Sequence, residues 1–527
     1  MKSQNTQNKN NFIILATPAP ISHRTAEENL GLGCLSAVLQ HNGYNVKILD
    51  AWLNGWSPDE LAKNILSEPN PIFVGISAYQ SNIDQAVKTL NAVKKLKDIK
   101  FVAGGFGPTF SPDLFLDSGF DYVIRGEGEN AIFELANALQ TNTNQTNING
   151  LCYKQNDINI HNNIAQISYC LDDLPFPVRD TMQMAIDKRT PVHLLTARGC
   201  TGHCAFCSIN SFFKLSQTPK WRGRSIENII SEMKHLKTVG VEHIKIIDDS
   251  FVDGNRDIQW CQEFAQQMEQ NNLSFYLRGS IRADKVNDEI LSSLKQAGFF
   301  SFSCGIENFS TSALKRMAKG ASVEQNCMAL DLFKKHGFYV QAGQILFDPY
   351  TTIYELQENY EYMLKYDWII SKGIFTEMFA ATGTPFQKKV VNNNIVTNQN
   401  PLLGNYNYNV LDEKAGKAYN ALKRWHTAHM AFYDKAIDPL TSPKALNKSE
   451  MNNFYQEYLK IRHVDLNIMR DVLDLVYNGT DNIMNFIDAS IVKHQPFFQD
   501  QERKIDNLYR KSNQIYNAKI NPFIKVR

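Results

Sequence analysis

Three cysteines stand close together in the segment LLTARGCTGHCAFCSI, residues 194–209. Cys200, Cys204 and Cys207 have the spacing C-x3-C-x2-C, and no fourth cysteine lies nearby. In an iron–sulfur cube, each of the four irons usually takes one cysteine thiolate. Three thiols on one tight loop can therefore hold three corners of a 4Fe–4S cube and leave the fourth iron open to an outside ligand.

Zinc is the alternative ion for this group of donors, because His193 or His203 could complete a set of four. Structural zinc usually takes two separated pairs of ligands, whereas His203 lies between two of the cysteines. The spacing favours the iron–sulfur cube. The other six cysteines stand singly in apolar contexts and are each predicted to be small core residues: Cys34, Cys152, Cys170, Cys261, Cys304 and Cys327.

The bulk composition is that of a soluble globular chain with two or three domains. Its 527 residues are 43% hydrophobic and 21% charged, and 55 Lys and Arg residues nearly cancel 54 Asp and Glu residues. This balance gives no support for nucleic acid or a membrane surface as a partner. No apolar run is long enough for a secretory signal or a membrane span, so the sequence predicts a cytoplasmic protein. Residues 1–11 are predicted to be a disordered tail.

Short apolar runs alternate with helical patterns from residue 12 to about 140, which predicts a doubly wound, Rossmann-like parallel sheet of five strands. The strands are predicted in FIILATP, YNVKILDA, IFVGISAY, KFVAGG and DYVIRGEGE. Helices are predicted at 27–41, near 58–67, at 82–97, near 111–117 and at 130–139. Residues 141–185 are Asn-rich and then Pro-containing, and they are predicted to form a small hairpin and a linker.

Residues 186–390 repeat the strand–helix alternation and are predicted to form a partial, six-repeat β/α barrel. In such barrels, functional side chains gather at the carboxyl ends of the strands, and the cysteine segment follows the first predicted strand. Residues 391–527 are predicted to be a helical C-terminal domain. The six barrel strands are predicted in PVHLLTA, HIKIID, SFYLRGS, FSFSCGIE, YVQAGQILF and IFTEMFA.

With Phe206 before its last cysteine, the C-x3-C-x2-C segment resembles the signature of radical S-adenosylmethionine (SAM) enzymes. The resemblance extends from about 190 to 385, because IKIIDDSF, SIRAD, GIEN and ATGTP follow in the expected order. It implies that the amine and carboxylate of SAM chelate the open iron. Reductive cleavage of SAM then gives a 5′-deoxyadenosyl radical, so the cofactors carry the hard chemistry. QILFDPYTT departs from the glycine-rich fifth strand common in the family.

The resemblance implies particular roles for the barrel residues. Phe206 would contact adenine through its backbone, an aspartate at the tip of the second strand would receive the methionyl ammonium, and Arg282 would pair with the carboxylate. An exposed surface arginine is the alternative for Arg282, whereas an unpaired Glu307 at a strand end would be costly to bury. The cluster ligands would be Cys200, Cys204 and Cys207, and the SAM contacts would be Phe206, Asp248, Asp249, Arg282 and Glu307.

Residues 12–140 resemble the cobalamin-binding domain that precedes the barrel in many radical SAM enzymes. The resemblance rests on LGLGCLSAVLQHNGYNVKILDA, VGISAYQSN, GGFGPTF and GEGE. The D-x-H-x-x-G motif, whose histidine takes the lower cobalt position in some cobalamin proteins, is absent. A Rossmann-like domain that only supports the barrel or substrate is the alternative. The implied cobalamin contacts are Ser77, Gly104, Gly105, Gly107, Thr109 and Glu127.

Together, the two resemblances imply a class B radical SAM methyltransferase that methylates an unactivated carbon of a small molecule or natural-product precursor. The implied cofactors are a 4Fe–4S cluster, SAM and cobalamin, and the implied partner is an external reductant such as flavodoxin or ferredoxin. A radical reaction of another type, such as cyclisation, rearrangement or dehydrogenation, is one alternative. A non-catalytic iron–sulfur redox sensor is another. An RNA substrate finds no basic footprint in the net charge.

Overall fold

A computed structural model describes residues 11–20, 27–164, 167, 170–215, 218–400, 405–441 and 446–512. The tail predicted to be disordered lies outside the described residues, except for Asn11. Within the described residues, no helix combines the length and the apolar character that a membrane span requires.

The first part of the chain forms a seven-stranded sheet. Its strands are β1 (Phe12–Thr17), β2 (Asn45–Asp50), β3 (Val74–Ser77), β4 (Phe101–Gly104), β5 (Tyr122–Ile124), β6 (Leu151–Gln155) and β7 (Ile158–His161). They lie in the order β2-β1-β3-β4-β5-β6-β7, and the first five are parallel, which confirms the doubly wound prediction. The predicted hairpin is β6–β7, which pairs antiparallel with β5 and so covers its open edge.

Helices cover both faces of this sheet, because each face of the parallel strands is apolar. Ile14, Val74 and Phe101 lie in the core on one face, whereas Leu15 and Val102 lie in the core on the other. The helices are α1 (Leu30–His41), α2 (Ala51–Asn54), α3 (Pro58–Ser67), α4 (Ile83–Lys94), α5 (Phe106–Phe110), α6 (Pro112–Asp117) and α7 (Glu129–Thr141).

The second part is an open sheet of five parallel strands surrounded by helices. Its strands are β8 (Val192–Leu194), β11 (His243–Ile246), β12 (Tyr276–Arg282), β13 (Phe299–Glu307) and β14 (Tyr339–Gln344), in the order β14-β13-β12-β11-β8. A small antiparallel pair, β9 (Ala197–Gly199) and β10 (Trp221–Gly223), lies between β8 and β11 in the chain. The cysteine segment therefore follows β9, and not β8 directly as predicted.

The sixth predicted barrel strand does not form as a regular strand. Segment 374–380 pairs with the sheet only near Phe347, through an isolated bridge between Phe347 and Glu377. A second isolated bridge, between Gln341 and Ile370, lies before this segment. The chain turns directly after Phe347, and Pro349 in this turn has no N–H to offer a ladder. The pairing therefore stops after a few hydrogen bonds.

Helices fill the connections of the second part. They are α8 (Met182–Asp187), α9 (Ser208–Leu215), α10 (Ile226–Thr238), α11 (Ile258–Gln270), α12 (Asp288–Gln296), α13 (Thr311–Arg316), α14 (Val323–Lys335), α15 (Ile353–Lys365) and α16 (Pro385–Asn392). Apolar residues at helical spacing in segment 225–240 are buried on α10, and the hydroxyl of Ser225 caps its first turn by accepting from the backbone N–H of Asn228.

The C-terminal part has three long helices, as the helical pattern predicted, but it begins with a hairpin in place of the helix predicted from residue 391. The hairpin is β15 (Val396–Asn400) with β16 (Asn405–Tyr408), and the helices are α17 (Glu413–Thr441), α18 (Lys448–Tyr477) and α19 (Ile483–Lys511). A buried polar cluster joins α17 to α18, because Trp425 and Tyr433 both donate hydrogen bonds to Asp465, at 2.8 and 2.7 Å. Residues 513–527 of the predicted helical domain lie outside the described residues.

Two buried histidines on α17 predict a loss of stability in acid. Burial lowers the pKa of His426 and His429 to about 4, below the ordinary value of about 6.5. As pH falls from 6.5 to 4, the unfolded chain takes up protons that the folded chain does not, so folding loses on the order of 3 kcal/mol per histidine. We expect the apparent melting temperature to fall over this window, and to fall less in His429→Phe.

His463→Phe is the matched control for this measurement. His463 lies on the exposed side of α18 with 63% of its side chain exposed. The control should show the wild-type acid dependence. Identical pH profiles for wild type and His429→Phe would contradict the prediction.

Candidate active site at the junction of two cavities

The three clustered cysteines lie on one loop between β9 and α9, and all three line the same cavity. The backbone N–H of Gly202 donates to the Cys200 sulfur at 3.3 Å, and Asp253 accepts hydrogen bonds from the backbone and hydroxyl of Thr201. These contacts hold the loop, while the half-buried thiols remain accessible from the cavity.

Neither candidate histidine joins the thiols. His203 is within 2.9 Å of the Lys220 ammonium, and His193 is within 3.3 Å of the Glu27 carboxylate. In the part of the chain that the structure describes, no three His, Cys, Asp or Glu side chains surround a position for a single metal ion. A set of thiols without nitrogen ligands fits an iron–sulfur cluster by its donor chemistry.

The cavity beside these cysteines, here called the cluster cavity, has a volume of about 550 Å³. Strands β12, β13 and β14 supply one wall. Glu27 and Trp52 come from the first part of the chain, Lys372 comes from the segment after α15, and Asp434 and Asp438 come from α17. All three parts of the chain therefore enclose this cavity. No motif in the sequence indicated the residues from the first and last parts.

Four of the five SAM contacts implied by the resemblance line the cluster cavity: Phe206, Asp249, Arg282 and Glu307. Arg282 is not an exposed surface arginine, since its side chain is 16% exposed. Its guanidinium lies 3.9 Å from the Cys200 sulfur and forks onto Asp284 at 2.9 and 2.7 Å. Glu307 adopts a φ of 61° and accepts a hydrogen bond from Lys319 at 2.9 Å.

The fifth residue, Asp248, does not line the cavity. Its carboxylate accepts hydrogen bonds from the backbone N–H of Thr196 at 2.6 Å and from the Thr196 hydroxyl, and Arg256 lies within 3.3 Å. Asp248 is buried and binds β8 to the loop after β11. Because neighbouring residues of an extended chain point to opposite sides, only Asp249 of the pair faces the cavity.

A second cavity of about 310 Å³ lies at the carboxyl ends of β1, β3, β4 and β5, and is here called the sheet-edge cavity. Open parallel sheets bind ligands at this edge. Four of the six predicted cobalamin contacts line it: Ser77, Gly104, Gly105 and Glu127. The predicted position of the site is therefore also the position of a cavity.

The other two predicted contacts support the loop instead of lining the cavity. The Thr109 hydroxyl donates to the Gly105 carbonyl at 2.7 Å and accepts from the Gly126 N–H at 3.1 Å, while the Gly107 N–H donates to the Ala78 carbonyl. Thr109 is 1% exposed and has no surface to offer a ligand.

Glycine backbone and apolar side chains form most of the sheet-edge cavity. Gly105 has a φ of 101°, and a Cβ there would lie 2.7 Å from the Ala78 carbonyl, so only glycine fits. Cys34 is half-buried and lines this cavity, so it is not a plain core residue as predicted. Cys304 borders the cluster cavity but is 0% exposed in the core of the second sheet, as predicted. Of the other four single cysteines, Cys152 and Cys261 are buried as predicted, whereas half-buried Cys327 and exposed Cys170 are not buried core residues.

Asp249 lines both cavities. Its carboxylate accepts a hydrogen bond at 2.9 Å from the N–H of Gly199, the residue before the first cluster cysteine. Burial, together with the nearby charge of Asp248, raises the pKa of Asp249 to about 6. The cysteine loop and the edge of the first sheet therefore meet at one buried carboxylate.

The sequence matches two family models, and each matches one of these regions. The B12 binding domain matches residues 22–136, and the Radical SAM superfamily matches residues 194–363. The chain carries a B12-binding domain followed by a radical SAM domain. The two predicted domain types are thereby confirmed, and the predicted set of 4Fe–4S cluster, SAM and cobalamin is the set that these two domains use.

Two curated relatives and one solved structure resemble this B12-binding radical SAM enzyme. "Uncharacterized methyltransferase PH0819" of Pyrococcus horikoshii is 28% identical over 70% of this chain and 80% of its own length. The anaerobic magnesium-protoporphyrin IX monomethyl ester cyclase of Synechocystis is 27% identical over 62% of this chain and 66% of its own length. The structure of the cobalamin-dependent SAM radical enzyme OxsB superposes on this protein with a TM-score of 0.77 and 19% sequence identity. The match covers 97% of this chain and 83% of the OxsB chain, so the two proteins share a fold.

A buried group of ion pairs joins the B12-binding domain to the radical SAM domain beside the sheet-edge cavity. Arg198, on β9, binds Glu127 at 2.8 Å and Glu129 at 2.6 Å, and Arg222 on β10 also binds Glu127. The carboxylates are 5% exposed, so water compensates little of their charge. This group fixes the strand before the cysteine loop to the loop after β5.

Arg198→Met is expected to destabilise the protein by about 3–5 kcal/mol, because the variant removes a guanidinium from two buried carboxylates. Urea titration followed by fluorescence would measure this loss as an earlier transition. Arg470→Met is the control, since Arg470 binds only its exposed neighbour Asp471 and its loss should leave the transition in place. Equal transitions for wild type and Arg198→Met would contradict the prediction.

Proposed function

We propose that this enzyme transfers a methyl group to a carbon atom of a small molecule bound in the cluster cavity. The observation that carries the proposal is the shared wall at Asp249, because a methyl transfer between two cofactor sites requires that both open onto one substrate. The relation to a methyltransferase over 70% of the chain supports the same reaction.

Each cavity has residues that fit one cofactor. Cys200, Cys204 and Cys207 would hold the iron–sulfur cluster, and Arg282 and Glu307 would hold the charged methionyl group of SAM. Phe206 would contact its adenine. The glycine-rich lining of the sheet-edge cavity would hold cobalamin. When bound, the cluster and SAM supply a carbon radical, and cobalamin supplies the methyl group.

The protein's own residues orient the substrate and exclude water. Trp52 and Ile437 close the cluster cavity from the first and last parts of the chain, and Phe212 and Phe213 of α9 line the sheet-edge cavity beside the shared wall. An enclosed cavity protects a reactive carbon centre from solvent. The donor of electrons would be an external reductant such as flavodoxin or ferredoxin.

Anaerobic reconstitution would test the proposal. The purified protein would receive iron, sulfide and hydroxocobalamin, and iron, cobalt and 5′-deoxyadenosine would then be measured after reduction with SAM present. Metabolites from cells with and without the gene, fed methionine with a deuterated methyl group, would reveal the product. We expect bound cobalt and a product that carries the label. Formation of 5′-deoxyadenosine by a cobalt-free protein, without a labelled product, would contradict methyl transfer.

A cyclisation or rearrangement in the same cavity is the second candidate, and the relation to the magnesium-protoporphyrin ester cyclase favours it. The same experiment separates the two candidates. A cyclisation gives a product without the deuterated methyl group, whereas a methyl transfer gives one labelled methyl per product molecule.

A further inference from the structure

Arg278 on β12 is a buried cation in the wall of the cluster cavity. It is 3% exposed, and its guanidinium donates hydrogen bonds to the hydroxyls of Ser301 at 3.0 Å and Ser303 at 2.7 Å and to the Gln341 side-chain oxygen at 2.6 Å. All three acceptors are neutral. Within the described residues, Arg278 makes no ion pair with a carboxylate. A buried guanidinium held only by neutral groups is costly, because no negative charge offsets its desolvation.

Glu27 is the carboxylate whose charge acts on Arg278, but Glu27 already pairs with other basic side chains. Glu27 binds the Lys245 ammonium at 2.5 Å and lies 3.3 Å from His193. Burial lowers the pKa of Arg278 to about 10, which leaves it charged at neutral pH. At this end of the cavity, two cations, Arg278 and Lys245, therefore share one anion, Glu27.

The other cations of the cavity have acidic partners. Lys319 binds Glu307 at 2.9 Å, Arg282 binds Asp284 at 2.7 Å, and Lys372 binds Asp434. The remaining acids of the lining lie elsewhere: Asp249 accepts from Gly199 at the shared wall, and Asp438 contacts the Tyr509 hydroxyl. Neither contacts Arg278. Among the described residues, no carboxylate pairs directly with Arg278, so its charge is open to an anionic ligand.

The position of Arg278 separates it from the SAM contacts. Arg278, Ser280 and Arg282 alternate along β12 and all line the cavity. Arg282 lies 3.9 Å from the Cys200 sulfur, whereas Arg278 lies four residues earlier, about 13 Å along the strand. A group bound at Arg278 is thus remote from the cysteine loop.

We propose that Arg278 binds an anionic group of the substrate, a carboxylate or a phosphate, at the end of the cluster cavity remote from the cysteines. The inference rests on the proposed function, which places the substrate in this cavity. Guanidinium groups donate charge-assisted hydrogen bonds to carboxylates and phosphates. Three of the five N–H groups of Arg278 bind Ser301, Ser303 and Gln341, which leaves two for such an anion. An anion fixed here would hold the rest of the substrate toward the cysteine loop.

The test uses three probes that share an apolar tail and differ in the head group: hexanoate, hexyl phosphate and hexanamide. Their binding to the reconstituted holoenzyme would be measured anaerobically by calorimetry and ligand-observed NMR. We expect at least one anionic probe to bind about tenfold or more tightly than hexanamide. Arg278→Gln should lose this preference, and Arg278→Lys should keep part of it. The tighter of the two anions identifies the head group.

Ser303→Ala is the milder variant and should reduce the preference about two- to fivefold. Iron content and the apparent melting temperature report whether each variant is folded, and Arg278→Lys with Ser303→Ala decide the question if Arg278→Gln does not fold. Equal binding of the three probes, or an unchanged preference in Arg278→Lys and Ser303→Ala, would overturn the inference. A labelled methyl product without a preference for anionic probes would contradict this inference and leave the proposed function standing. A preference for anionic probes without methyl transfer would contradict the proposed function and leave anion binding at Arg278 standing.

Discussion

Cys204→Ala is expected to purify without a complete iron–sulfur cluster and to form no 5′-deoxyadenosine. Cys204 is the middle of three thiols on the loop between β9 and α9, and the structure offers no nitrogen ligand in its place. Two remaining thiols would hold only two corners of a cube that needs at least three. Iron and acid-labile sulfide per chain, visible absorbance and chromatography of the SAM products would measure the loss.

Two other cysteines provide matched controls for this substitution. Cys170 is exposed at the start of the linker, and Cys170→Ala should keep full iron content and full formation of 5′-deoxyadenosine. Cys304 is buried on β13 and lines the cluster cavity without belonging to the loop, so Cys304→Ala should keep its iron as well. A Cys204→Ala protein with the iron content of wild type would remove the basis of the proposed function.

The doubly wound parallel class of the first sheet and the position of the cysteine loop could be predicted because both follow from local patterns. Apolar runs such as 74–77 and 101–104 are buried on both faces, and alternation with helices requires parallel pairing. The cysteine spacing favoured an iron–sulfur cube over zinc, and the resemblance to radical SAM enzymes implied the chemistry of the loop. The sixth barrel strand could not be predicted in the same way, because the turn at Pro349 ends its pairing although segment 374–380 is apolar.

Side-chain direction explains why some of the predicted site residues line a cavity and others do not. Asp248 and Asp249 are adjacent, and the sequence does not show which one faces the barrel interior. Thr109 stands beside glycines like a ligand contact, yet its hydroxyl bonds Gly105 in its own loop and Gly126 in the loop after β5. In each case, the decision depends on how an irregular segment turns after its strand.

A charged residue within a predicted strand does not reveal from sequence whether it faces solvent or a cavity. Arg278 stands in the run SFYLRGS, where a single charge usually indicates an exposed strand position. The useful signal was the alternation of Arg278, Ser280 and Arg282, because three polar residues at a period of two mark one face of β12. Glu27 pairs with Lys245 and Asp434 pairs with Lys372, 218 and 62 residues away in the chain, and no sequence pattern marked either pair.

Gly199→Ala is expected to disrupt the cysteine loop although it changes no ligand. Gly199 has a φ of 90°, and a Cβ there would lie 2.0 Å from the carbonyl oxygen of Lys220, the residue directly before the paired strand β10. Relief requires β9 and β10 to separate, which would move Cys200 and break the hydrogen bond from Gly199 to Asp249. We expect a severalfold loss of iron per chain and a lower melting temperature.

Gly240→Ala separates the two causes of this effect. Gly240 has a similar φ, 82°, but a Cβ there would meet nothing within 4 Å. That variant has only the strain of a left-handed residue, about 1–2 kcal/mol, and should keep full iron content. If both variants lose iron equally, the contact between β9 and β10 does not position the loop. If only Gly199→Ala loses iron, the close approach of Gly199 to β10 is what holds Cys200 in place.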